Sequence, residues 1–273
     1  MLFSMRLMSY IYINNPYQNM RKSPSRDSAI VSQARFAEPL IILQNSDNWI
    51  EIQTPDSYRG WIPKDCIVER NSPYEGDLKI SRLAAHLYKV KDTELGPICT
   101  LPYGVKLLST DLKDLRWIQV QMPNKELYFI QRGDVAEEKP LRTKKDLIDF
   151  SKRFLNLPYT WGGRTSFGFD CSGFIQMLYE QIGIYLLRDA KQQVHDSRFT
   201  KISLKMIEPG DLIFWGKSPE TISHVGMYIG QGDFIHSVVS ENKPWIRISK
   251  IDEPSWVENC PDRPYQTVLQ LTQ

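Results

Sequence analysis

Four cysteines and four histidines supply all the thiol and imidazole chemistry of this 273-residue chain. One cysteine stands apart by its setting. In YTWGGRTSFGFDCSGF (159–174), Cys171 follows Asp170 and precedes Ser172 and Gly173, at the head of the run CSGFIQMLYEQIG. Phe174, Leu178 and Ile182 recur there at i, i+4 and i+8, which predicts a helix with Asp170 as its N-cap and Gly183 as its stop. A thiol in the first turn of a helix meets unpaired N–H groups and the positive end of the helix dipole, and both favour the thiolate. A thiolate with small neighbours that leave access is a nucleophile. A cysteine taken alone is more often a small packing residue; the cap and the neighbours favour the chemical reading here.

The histidines are His86, His195, His224 and His236. The last two lie in SHVGMYIGQGDFIHS, two strand-like runs around a glycine-rich turn. A hairpin centred on Gly230 sets His224 directly opposite His236, so both project from one face of the sheet. Val225, Met227 and Ile229 then point to the other face, towards a core, and leave the imidazoles on the non-core side. His224 can take the proton of Cys171 while His236 holds it in the useful tautomer, as the third member of a triad does. Two unrelated histidines, or a zinc site of one Cys and two His, are the competing readings; no carboxylate or second thiol is placed to complete the latter.

These groups need elements to hold them. TKKDLIDFSKRFLNLPY (143–159) predicts a helix with Leu147, Ile148, Phe150, Phe154 and Leu155 on one face, Thr143 as N-cap and Asp146 three residues on. GDLIFWG, HVGMYIG and DFIHSVV are strand-like runs between glycine-rich turns, so the C-terminal part reads as α+β with an antiparallel sheet. The first half contains a repeat. NWIEIQTPDSYRGWIP (48–63) matches RWIQVQMPNKELYFIQ (116–131) at an offset of 68, pairing Trp49 with Trp117, Ile52 with Val120, Pro55 with Pro123 and Ile62 with Ile130. Each copy alternates apolar and polar residues between turn-rich segments, as short strands of a small barrel do. RNSPYEGD (70–77) and AEEKPLR (136–142) read as linkers. The resulting division is 1–70, 71–140 and 141–273: two small all-β barrels followed by an α+β domain.

Composition narrows the partners. With 34 basic and 32 acidic residues the formal net charge is +2, and nothing favours nucleic acid. The cysteines, Cys66, Cys99, Cys171 and Cys260, form no CxxC pair and suit neither a disulfide nor a zinc framework. No run is apolar enough to span a bilayer. In MLFSMRLMSYIYINNPYQ, Arg6 splits the apolar stretch and no small-residue cleavage site follows, so a domain start is expected in place of an export signal. Met1, Met5 and Met8 are all candidate starts.

YTWGG, FDCSGF, EPGDLIFW, HVGMYIG and FIHS, in that order and at suitable spacings, resemble the NlpC-type cysteine peptidases of bacterial cell-wall metabolism, over roughly residues 143 to 273. MRKSPSRDSAIV, the Trp49 strand and YRGWIPKDCI resemble a bacterial SH3-like domain, as do LPYGVKLL, the Trp117 strand and LYFIQRGDV. The first resemblance implies a papain-like fold, Cys171 as nucleophile, His224 as base, His236 as orienting group, and Tyr159 beside the Cys171 N–H as an oxyanion donor. It implies hydrolysis of the bond between γ-D-glutamate and a diamino acid, meso-diaminopimelate, in tri- or tetrapeptides derived from peptidoglycan, without a cofactor. The paired SH3-like domains resemble those of enzymes that require a free L-alanine amine, where the first such domain walls off one end of the cleft. An enclosed ammonium needs a carboxylate; Asp170 is the candidate, with Ser172 beside it and Tyr58 of SYRGW as a pocket wall. Leu187, in LLRDAKQQ, departs from the proline common at that place and leaves substrate detail open. The expected setting is a monomer in cytoplasmic peptide recycling; the periplasm or envelope is the alternative. An amidase or acyltransferase on the same scaffold, or a catalytically spent peptidoglycan-binding protein, are the other functions compatible with these motifs.

Overall fold

The computed structural model describes residues 9–136, 141, 143–239, 242–252 and 265–272. The candidate start methionines, most of the stretch read as the second linker, and Cys260 lie outside the described residues. The chain divides into two compact units, Met1–Glu138 and Lys139–Gln273.

Among the described residues the first unit is β apart from two short 3-10 turns. Its strands are β1 (Tyr10–Ile13), β2 (Tyr17–Arg21), β3 (Ile30–Arg35), β4 (Pro39–Ser46), β5 (Trp49–Gln53), β6 (Arg59–Pro63) and β7 (Ile67–Arg70), then β8 (Leu78–Ile80), β9 (Ala84–Tyr88), β10 (Cys99–Pro102), β11 (Lys106–Asp111), β12 (Trp117–Gln121), β13 (Leu127–Gln131) and β14 (Val135–Ala136). The two sheets have the same order, β3-β2-β6-β5-β4-β1-β7 and β10-β9-β13-β12-β11-β8-β14. The sequence repeat is thus a repeat of topology, and β6 and β13 coincide at the same offset of 68 residues. In WIEIQ the alternation does its work: Ile50 and Ile52 are buried, and Ile50 pairs with Ile62 of β6. Ile118 and Ile130 pair in the same way in the second copy.

The 70–77 stretch, read as a linker, is a fixed joint between the two barrels. Tyr74 is buried; its N–H donates to the Tyr12 hydroxyl at 2.9 Å and its own hydroxyl donates to the Gln121 carbonyl at 2.8 Å. Arg70 Nη1 donates to the Pro123 carbonyl at 2.7 Å. Phe36, from the loop after β3, packs in the core of the second barrel with Ile80, Leu87 and Val120. A sequence scan sees proline, serine and glycine there and cannot see which aromatic is buried.

The second unit begins with α1 (Lys144–Ser151), whose capping box joins Thr143 and Asp146. A two-stranded hairpin follows, β15 (Arg164–Thr165) and β16 (Gly168–Phe169), and leads directly into α2 (Cys171–Glu180). The short helix α3 (Ala190–Gln193) precedes a six-stranded antiparallel sheet of β17 (Phe199–Ile202), β18 (Leu212–Gly216), β19 (Ile222–Gly230), β20 (Asp233–Ser237), β21 (Ile246–Lys250) and β22 (Tyr265–Leu271), in the order β17-β22-β18-β19-β20-β21. Helix α2 packs on β19 and β20 and ends before Ile182, where Gly183 takes φ +78°.

Candidate active site

Cys171 is the first residue of α2. Asp170 caps the helix, its Oδ1 accepting from the Gly173 N–H at 2.7 Å. Gly173 has a steric reason to be glycine: a Cβ there would collide with the carbonyl oxygen of Gly163. That carbonyl also accepts from the Asp170 N–H at 3.2 Å, so the β15–β16 hairpin is sewn onto the head of the helix. Cys171 retains 9% of its surface, so the thiol is enclosed but not sealed. Its Sγ lies 4.0 Å from the carbonyl oxygen of Ser223, the residue before His224.

The β19–β20 hairpin brings the imidazoles together by a different register from the expected one. Met227 faces Ile235 and Tyr228 faces Phe234, with a bulge before the Gly230–Asp233 pair. The turn is Gln231-Gly232, both at positive φ (57° and 80°), the geometry of a type I′ turn. The pairing is therefore shifted two residues from a hairpin centred on Gly230, and His224 and His236 are diagonal neighbours. An even shift preserves the face, and His224 Nε2 lies 2.8 Å from His236 Nδ1. The expected non-core side is corrected as well. Both histidines are buried, and Trp215, Phe234 and Val238 cluster on their face while Val225 and Met227 are buried on the other. The His224 ring packs 5.5 Å from Trp215, and Phe234 packs 4.5 Å from His236. The face that carries the histidines has a core cluster of its own.

Ser249 of β21 completes the row: His236 Nε2 lies 3.0 Å from its Oγ. Nothing in the sequence around Ser249 marks it; the register of β21 against β20 places it. Among the described residues no group of three or more His, Cys, Asp or Glu is arranged to hold a metal ion.

Asp170 and Ser172, expected to face substrate, turn into the protein. Arg188 is 1% exposed and makes a two-pronged pair with Asp170, Nη1 to Oδ1 at 3.0 Å and Nη2 to Oδ2 at 2.5 Å. Ser172 Oγ accepts from Arg188 Nη1 at 2.9 Å and donates to Asp170 Oδ1 at 3.3 Å. The negative charge of Asp170 is therefore matched inside the fold. Arg188 comes from an irregular segment with no periodicity, so no local pattern marks it; the one sequence signal is the unmatched acid beside the thiol. Leu187, next to it, is exposed, and its carbonyl accepts from Gln193 Nε2 at 2.9 Å. Tyr159 is half-buried; its backbone bridges Phe169 and donates to the Pro244 carbonyl at 2.7 Å, which fixes it close to the start of α2. Tyr58 belongs to the other unit, where it packs on the core of its own barrel and its carbonyl accepts from the Thr54 N–H at 3.0 Å.

The other described thiols differ from Cys171. Burial, with Asp65 adding to it, pushes the Cys66 thiol up to about 12, and its Sγ lies 2.7 Å from the Pro63 carbonyl. Burial raises the Cys99 thiol too.

A capped helix carrying a cysteine and packed on an antiparallel sheet with a histidine pair defines a papain-like cysteine peptidase. Residues 156–261 match the NlpC/P60 family and residues 20–67 the bacterial dipeptidyl-peptidase Sh3 domain. A γ-D-glutamyl-L-lysine dipeptidyl-peptidase of Bacillus subtilis is 30% identical over 77% of this chain and 73% of its own. One of Bacillus cereus is 29% identical over 83% of this chain and 72% of its own. The crystal structure of an NlpC/P60 family protein from Bacillus cereus shares the fold, with a TM-score of 0.79 and 22% identity over 92% of this chain and 97% of that one. The chain belongs to the NlpC/P60 family of cysteine peptidases.

Proposed function

We propose that this peptidase hydrolyses the γ-D-glutamyl–meso-diaminopimelate bond of peptidoglycan stem peptides whose N-terminal L-alanine amine is free, releasing L-Ala-D-Glu. The observations that support the chemistry are the row His224–His236–Ser249 and a thiol at a capped helix start whose Sγ lies 4.0 Å from the carbonyl oxygen of Ser223, the residue before His224. With Ser249 Oγ accepting from His236 Nε2–H, His236 Nδ1 accepts from His224 Nε2–H. The basic lone pair of His224 then sits on Nδ1, and that nitrogen takes the thiol proton. The thiolate attacks the γ-carbonyl carbon, with the Cys171 N–H and the Tyr159 hydroxyl as the oxyanion donors. The C–N bond breaks as His224 returns the proton to the leaving amine, and water then hydrolyses the thioester.

The names of the two Bacillus relatives favour a second reading of the third residue, L-lysine. Both bonds join the same γ-carbonyl to an α-amine, so the chemistry is unchanged. The setting proposed is recycling of wall peptides in the cytoplasm. The experiment is product analysis with L-Ala-γ-D-Glu-meso-diaminopimelate, its L-lysine counterpart and the N-acetylated form of each. Cleavage of a free peptide and loss of cleavage on acetylation support the proposal. Equal cleavage of free and acetylated peptides refutes the amine requirement, and a preference for the lysine peptide assigns the second reading.

A further inference from the structure

Arg188 is among the most buried side chains of the molecule, yet it is neither part of the histidine row nor in a regular element. Three hydrogen bonds from its guanidinium go to the two residues that flank Cys171 in sequence. The segment carrying it is tied to the same helix start by Gln193, whose Nε2 donates to the Ser172 carbonyl at 3.1 Å and the Leu187 carbonyl at 2.9 Å. An acid at the N-cap satisfies the helix, but it also sets a negative charge one residue from the sulfur, and that charge opposes the thiolate. A buried guanidinium pinned across both carboxylate oxygens cancels it.

We propose that Arg188 is a positioning residue for the reacting thiol: it locks Asp170 in the cap and cancels the charge that would otherwise keep Cys171 protonated. The proposal rests on Cys171 being the nucleophile. Burial alone would disfavour the guanidinium charge; Asp170 outweighs it, with Asp189 and Cys171 acting in the same direction, and Arg188 is held charged. A lysine would keep the charge without the fork that engages both oxygens and Ser172. Asp170 and Arg188 are not alone around the head of α2. Asp189 lies on the Arg188 segment, His224 and His236 on the hairpin and Tyr159 on the segment before β15, while Arg164 of β15 bonds Gln176 at 3.0 Å one turn along.

The two partners should move the thiol in opposite directions. The experiment measures the rate of iodoacetamide alkylation of Cys171 against pH in full-length wild type, Arg188→Met and Asp170→Asn, with thermal melting alongside. In Arg188→Met the carboxylate is unmatched, and the midpoint of the rate profile should rise by about one pH unit or more, a tenfold or greater loss of alkylation rate on the rising limb. In Asp170→Asn, which keeps a capping oxygen, the cation loses its principal partner and the midpoint should fall. A merely structural pair lowers melting temperature and leaves both midpoints in place, which would overturn the proposal. If Arg188→Met does not fold, Asp170→Asn decides alone: an unchanged or raised midpoint overturns it. Failure of the nucleophile assignment is separately visible, as a wild-type Cys171 that alkylates no faster than an ordinary thiol.

Discussion

His224 Nε2 and His236 Nδ1 lie 2.8 Å apart although the two residues are not opposite one another in their hairpin. The bulge before Gly230 and the tight Gln231-Gly232 turn set this diagonal, and Ser249 at 3.0 Å extends it. In the tautomer proposed above each member of the row orients the next, so its members should contribute in order of their distance from the proton transferred. His236→Ala should lower kcat by about 100-fold with little change in KM. Ser249→Ala removes one hydrogen bond and should cost about 2- to 10-fold. Steady-state kinetics on a defined tripeptide check both; a Ser249→Ala loss as large as that of His236→Ala would contradict the order.

Gly173 has no room for a methyl group, because the Gly163 carbonyl occupies the space. Gly173→Ala should destabilise the second unit by about 1–3 kcal/mol through forced backbone movement and should loosen the head of α2. Chemical denaturation and turnover measured together test this. A variant with wild-type stability and rate would show that the hairpin is not fastened as described.

Thiol reactivity should separate the cysteines. The Cys66 thiol, pushed up to about 12, and the raised Cys99 thiol remain protonated at neutral pH and should resist iodoacetamide between about pH 6 and about pH 8. Cys171 should label in that range. Peptide mapping after a short pulse reads the ratio directly, and preferential labelling of Cys66 would contradict the assignment.

Tyr74 links the two barrels and titrates late. Burial is the main cause that raises its hydroxyl from 10.0 to about 12. A raised folded-state value means that the contribution to stability is complete below about pH 10 and is lost as pH climbs towards 12. Tyr74→Phe removes the bonds to the Gln121 carbonyl and the Leu108 N–H, and should lower stability at neutral pH by about 1–3 kcal/mol while flattening the alkaline fall. Denaturant midpoints from pH 8 to pH 12 test the sign; a steeper alkaline fall in the variant would refute it.

The parts of this molecule that repeat or alternate are readable from the chain. The 68-residue offset gives two sheets of one topology, and the Asp-Cys-Ser-Gly start gives the capped helix. The histidines share a face because the true register differs from a hairpin centred on Gly230 by an even number of residues. The exact turn was hidden because Gln231, not a glycine, takes a positive φ. Arg188, Ser249 and Tyr74 were hidden for a common reason: each acts through a partner distant in sequence, and no local pattern reports a long-range pairing.

Cys171 is proposed to attack the γ-carbonyl of D-glutamate. The most direct measurement is mass spectrometry of the products from L-Ala-γ-D-Glu-meso-diaminopimelate with wild type and Cys171→Ala side by side. Wild type should yield L-Ala-D-Glu and free diaminopimelate, and Cys171→Ala should leave the tripeptide intact. Equal cleavage by both proteins, or scission of the L-Ala–D-Glu bond instead, would contradict it.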